Sequence, residues 1–179
     1  GVSMLKKISV LLSVASLCVL TACSEDDKEP TLAEKCAKDN GINEGCLTGK
    51  WLMNGLYEKS SDNVFLPGYD YSAQPGLLEI FTDEKSGNLM FSYTYALKSE
   101  MHVNNNCNED RGYVIINDDG AGNKSITFDF AFGDMCQPKT KQTVVPQVDL
   151  YSMDLNDVIF QTQDGFVPGS AKESLTRIN

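Results

Sequence analysis

Apolar and polar residues alternate along most of the chain beyond Leu47. In Leu89–Leu97 the residues Leu89, Phe91, Tyr93, Tyr95 and Leu97 share one side, and Ser92, Thr94 and Ala96 the other. In Ser125–Phe132 the set Ile126, Phe128, Phe130 and Phe132 alternates with Thr127, Asp129 and Ala131. Successive side chains of a strand point to opposite faces, so a period of two predicts half-buried strands. Further strands are predicted over Gly49–Glu58, Leu77–Thr82, Gly112–Asn117, Val148–Met153, Val158–Thr162 and Ser174–Ile178, with a short one at Met101–Val103. Asp83–Asn88, with Ser86-Gly87, and Asp118–Asn123, with Asp119-Gly120, carry hairpin-turn chemistry. Helical periodicity is absent beyond Leu47. Eight or nine short strands joined by hairpins predict an all-β fold, an antiparallel barrel or sandwich.

The start of the chain follows another pattern. Lys6 and Lys7 precede an almost uncharged apolar run, Ile8–Leu20, and then Leu20-Thr21-Ala22-Cys23. A spanning helix needs about 20 apolar residues, so this shorter run reads as the core of an export signal. The signal begins at Met4, with Gly1-Val2-Ser3 as extra residues. Ser24-Glu25-Asp26-Asp27-Lys28-Glu29-Pro30 contains no apolar residue and predicts a polar tether. Thr31-Leu32-Ala33-Glu34 is a capping box and starts a short helix that ends near Gly41. The expected organisation is therefore a signal over 1–22, a modified cysteine and tether over 23–30, and one β domain over 31–179.

The signal holds two of the 15 basic residues and none of the 25 acidic ones, which leaves 13 against 25, a net charge of −12. Nucleic acid is excluded as a partner, because its phosphates would be repelled. Beyond Cys18 and Cys23, four cysteines remain, and an even number in an exported chain predicts disulfides. Cys36 and Cys46 flank one turn. A hairpin centred between Gly120 and Ala121 sets Cys107 opposite position 134, two residues from Cys136, which predicts a Cys107–Cys136 bond.

Leu20-Thr21-Ala22-Cys23 resembles the lipobox of bacterial lipoproteins. The resemblance implies a diacylglycerol on Cys23 and anchorage to a membrane, and Ser24 after the cysteine resembles the outer-membrane sorting pattern. Gly49-Lys50-Trp51, opening the first strand just after a short helix, resembles the lipocalin-like superfamily. That resemblance implies an up-and-down barrel with Arg177 packed over Trp51 as a structural floor. It also implies a large loop, Lys59–Pro75, folded over the barrel mouth. The family's Thr-Asp-Tyr motif is missing.

Candidate chemistry is sparse. His102 is the only histidine, no serine sits in a Gly-x-Ser-x-Gly elbow, and no metal ligand set or cofactor motif is present. Catalysis is not expected. Neither Asp118-Asp119-Gly120 nor Asn108-Glu109-Asp110 has the alternating ligand spacing of a calcium loop. The expected function is binding of a small apolar or amphipathic ligand inside the barrel. Its contacts would come from Phe91, Tyr93, Phe128 and Phe130, with Phe65, Tyr69 and Tyr71 at the mouth. The pattern leaves open which alternating set faces inward. The competing expectation is a barrel filled by its own side chains that acts through its surface on an envelope protein.

Overall fold

The computed structural model describes residues 28–70, 75–95, 109–132, 141–160 and 169–178. Cys23, Tyr71, His102, Cys107 and Cys136 lie outside them, as does the predicted Met101–Val103 strand.

Two short helices, α1 (Leu32–Ala37) and α2 (Glu44–Leu47), flank a single 3-10 turn at Asp39–Gly41. The Thr31 hydroxyl accepts from the Glu34 N–H, and the Glu34 carboxylate accepts from the Thr31 N–H at 2.7 Å, so the capping box starts α1. Cys36 and Cys46 form a disulfide that ties the two helices. Among the described residues no helix is long and apolar enough to cross a membrane.

Ten antiparallel strands follow: β1 (Gly49–Lys59), β2 (Phe65–Asp70), β3 (Leu77–Thr82), β4 (Leu89–Thr94), β5 (Glu109–Asp118), β6 (Lys124–Phe132), β7 (Lys141–Val144), β8 (Gln147–Val148), β9 (Ser152–Leu155) and β10 (Ala171–Ile178). The hydrogen-bonded order is β7-β6-β5-β4-β3-β1-β10-β9-β8, with β2 paired to β1. The first and last strands of the domain are thus neighbours. The two ends of this path, β7 and β8, are separated along the chain only by Val145 and Pro146. The sheet therefore curls back on itself as a half-barrel.

One core fills the concave face. Trp51 and Met53 of β1, Leu78 and Ile80 of β3, Phe91 and Tyr93 of β4, Ile126, Phe128 and Phe130 of β6, Met153 and Leu155 of β9 and Leu175 of β10 are all buried in it. The alternation in β4 and β6 thus directs the large residues inward.

Three strand expectations are corrected. Phe65–Asp70 is not loop. It pairs with Gly55–Lys59 of β1, with a register shift at Leu56/Tyr57 that accommodates Pro67 and Gly68. Val148–Met153 is not one strand but a turn between β8 and β9. The Asp149 carboxylate accepts from the N–H groups of Tyr151 and Ser152, both at 2.7 Å, which bends the chain there. Val158–Phe160, the described part of the predicted Val158–Thr162 strand, is not strand.

Candidate functional site

The floor of the half-barrel is organised around Trp51. Its indole N–H donates to the Leu47 carbonyl at 3.0 Å, so α2 and β1 are locked together. Arg177 is the direct cross-strand partner of Trp51, and its guanidinium carbon lies 3.9 Å from the centre of the indole rings. The same guanidinium donates to the carbonyls of Leu150 and Thr48, each at 2.9 Å, and to that of Cys46. Burial pulls its pKa below the usual arginine value, and Asp149 nearby acts in the opposite sense. Gly49 has φ +141°, and a Cβ on it would lie 2.6 Å from Arg177 Nη1. The glycine of Gly-x-Trp is thus dictated by the arginine on the neighbouring strand.

The interior is occupied by aromatic rings. The Phe160 ring stacks on Tyr93, with centroids 4.4 Å apart, and meets Phe128 edge-on at 5.1 Å. Phe91 meets Phe128 and Phe130 edge-on at 5.3 and 5.1 Å. None of these five residues is more than 1% exposed. The backbone N–H of Phe160 donates to both oxygens of the buried Glu173 carboxylate, at 3.0 and 3.2 Å. The Tyr95 hydroxyl donates to the buried Asp110 carboxylate at 2.5 Å. Both buried acids are thus engaged in holding the aromatic core together.

Phe91, Tyr93, Phe128 and Phe130 are therefore brought together, with Phe160 among them. Phe65 is placed apart. It pairs with Lys59 of β1, and its ring lies 5.4 Å from Lys172 Nζ. Lys172 alternates with the buried Ala171 and Glu173, so this cluster stands on the convex face. Tyr69 contributes backbone to β2. Phe160 and Glu173 were not singled out from sequence, and Tyr95 and Asp110 entered only through the Leu89–Leu97 alternation and the Asn108-Glu109-Asp110 cluster. Phe160 belongs to no alternating run, and the two acids carry no motif.

A concave feature lies at the seam where the sheet curls. The stretch Lys141–Val148 changes neighbours midway. Its first half pairs with β6, as Val144 with Ile126, and its second half with β9, as Val148 with Met153. Pro146 cannot donate to a ladder and sits at the changeover. Asn156 Nδ2 donates to the Val145 carbonyl there at 2.8 Å. An open cleft of about 790 Å3 lies there between the end of α1, the β5–β6 turn and the stretch Val145–Val148, with Cys36, Ile42, Asn123, Lys124 and Val148 in its lining. Gly41 closes the floor side. At φ +77° it packs against the Val148 carbonyl, where any Cβ would collide.

The turn acids do structural work. Asp119 accepts from the N–H groups of Ala121 and Asn123, and Asp118 from that of Gly120. Among the described residues, no three His, Cys, Asp or Glu side chains gather as a metal site would require. The chain matches no family model, and no curated protein or solved structure matches it either.

Proposed function

We propose that the chain is an exported bacterial lipoprotein, anchored to the outer membrane through an acyl-modified Cys23, whose β domain acts as a protein-binding module in the envelope. The observation that carries this reading is the filled interior. A carrier of small molecules needs a pocket of some hundreds of Å3 lined by apolar side chains. Here Phe91, Tyr93, Phe128, Phe130 and Phe160 occupy the concave face themselves, each at most 1% exposed. A cleft of that size lies at the seam, outside the aromatic core. Small barrels can be fully packed by their own side chains, and function then falls to the outer surface.

A second reading has its own support. The strand order runs in chain order around the curl, with β1 between β3 and β10. That order and the Trp51–Arg177 floor fit a closed lipocalin-like barrel, in which an apolar ligand would replace part of the aromatic filling. Native mass spectrometry of the protein gently extracted from its own membranes separates the two. A co-purifying envelope protein supports the module. A fatty or aromatic mass released on unfolding, with no protein partner, would overturn it in favour of the carrier.

A further inference from the structure

We propose that the Cys36–Cys46 bond is a thiol-exchange site, attacked at Cys36 Sγ from the seam cleft by a thiolate of a dithiol, with Cys46 leaving as a thiolate beside Arg177. The inference goes beyond the module reading and does not depend on it.

The two sulfurs of the bond stand in different surroundings. Cys46 is fully buried, whereas Cys36 is 8% exposed. Cys36 and its neighbour Ala37 belong to the lining of the open cleft, and Cys46 does not. Exchange begins when a thiolate attacks one sulfur and displaces the other. The incoming sulfur approaches from the side opposite the leaving one. An attack from the cleft therefore falls on Cys36 and makes Cys46 the leaving group.

The buried sulfur has a cation waiting for it. Arg177 Nη2 lies 3.9 Å from Cys46 Sγ and donates to the carbonyl of the same residue. Trp51 and the carbonyls of Leu150 and Thr48 hold that guanidinium in place. A guanidinium beside a thiolate stabilises it, and a stabilised thiolate leaves faster. The Asp149 carbonyl oxygen, also 3.9 Å from Cys46 Sγ, accepts from the thiol once the thiolate is protonated.

The reaction balances in two displacements. The first thiolate bonds to Cys36 Sγ, the bond between the cysteines breaks, and its electron pair stays on Cys46 Sγ. The second thiolate of the dithiol then attacks the first, and Cys36 leaves with its own electron pair. The dithiol is oxidised to a disulfide, the cysteine pair is reduced by two electrons, and the two protons of the dithiol end on Cys36 and Cys46.

The test exposes the full chain in detergent micelles to the monothiol 2-mercaptoethanol, quenches with acid and maps the peptides by mass. The expected product carries the adduct on Cys36 and a free thiol at Cys46, and forms at a rate proportional to thiol concentration. Dithiothreitol, a dithiol, should carry the same protein on to the free pair. Arg177→Gln should slow adduct formation about tenfold, and Arg177→Lys, which keeps the charge, should regain most of the rate. Ala37→Glu, at the exposed end of α1, should slow it about twofold by repelling the incoming thiolate, with the urea midpoint unchanged. The site is overturned by absence of an adduct, by an adduct on Cys46, or by a rate independent of thiol concentration, which marks reduction through unfolding. It is also overturned if Arg177→Gln reacts as fast as the parent or faster, as a bond guarded by burial alone would. Should that variant fail to fold, equal rates for Ala37→Glu and the parent overturn the site instead.

Discussion

Arg177 and Trp51 face each other across β10 and β1, with the guanidinium carbon 3.9 Å from the centre of the indole rings. Three carbonyls on two other segments point at the same guanidinium: Cys46 and Thr48 before β1, and Leu150 in the β8–β9 turn. One side chain therefore joins helix, first strand, last strand and a distant hairpin. Arg177→Ala should cost about 3 kcal/mol, since hydrogen bonds to a charged donor contribute more than neutral ones and buried carbonyls would be left unmet. Arg177→Lys should recover less than half of that, because an ammonium cannot match the planar fork. Urea unfolding followed by the fluorescence of Trp51, the single tryptophan, reads both. Equal stability of the alanine variant and the parent would refute the role.

The Cys36–Cys46 bond closes a short loop at a sequence separation of 10. Loss of the constraint it places on the unfolded chain should cost a little under about 3 kcal/mol in a double serine variant. The second bond is expected between Cys107 and Cys136, which lie outside the described residues. From the Val114–Phe128 pair to the Arg111–Phe132 pair, β5 advances three residues while β6 advances four. Along the sequence, 107 and 136 each lie four residues beyond that pair. Peptide mapping without reduction should find these two cysteines linked; a free thiol at either would refute it.

Phe160 holds the centre of the interior without belonging to a strand. Its replacement by alanine should destabilise by about 3–5 kcal/mol, the usual cost of deleting a fully buried aromatic. Glu173→Gln should cost less, because an amide oxygen can still accept from the Phe160 N–H. Thermal melts of the two variants should keep this order. A melt of Phe160→Ala indistinguishable from that of the parent would mean that the ring does not fill the core.

Asp149 supplies a pH dependence. The Tyr151 N–H, then Ser152 and the nearby Arg177, stabilise its charged form and hold its pKa below the ordinary aspartate value. A group whose pKa is lowered on folding contributes stability above its unfolded pKa and loses it as pH falls through the folded value. The gap in urea midpoint between the parent and Asp149→Asn should therefore be widest near neutrality and shrink below about pH 4. A gap independent of pH would show that the carboxylate charge plays no part in the turn.

Strand positions were legible to within a few residues, and the strand expected over Leu89–Leu97 ends at Thr94, with Tyr95 outside it. Leu77–Thr82 is observed as predicted, and Ser125–Phe132 gains only Lys124. The failures share a cause. In β2 the pair Pro67-Gly68 reads as loop, and only the neighbouring β1 makes it a strand. In Val148–Met153 an apolar-rich run hides a turn that depends on the Asp149 side chain. The β5–β6 hairpin centres on Ala121, as Asp118 faces Lys124, and a bulge adds one more step. Counting from a guessed centre therefore ran two positions short of Cys136. The inward set on β4 and β6 became clear only once Phe160 was placed against it. The seam cleft had one local signal, Pro146 after Val144-Val145, but which two strands it separates is a property of the closed curl.

The pairing of β1 with β10 has a temporal consequence. Trp51 finds Arg177 across more than a hundred residues of chain, so the most extensive strand pair cannot form on a partly synthesised molecule. Contacts this distant in sequence form slowly. A nascent chain that cannot yet pair its first strand with its last keeps its sheet open until the final strand is made.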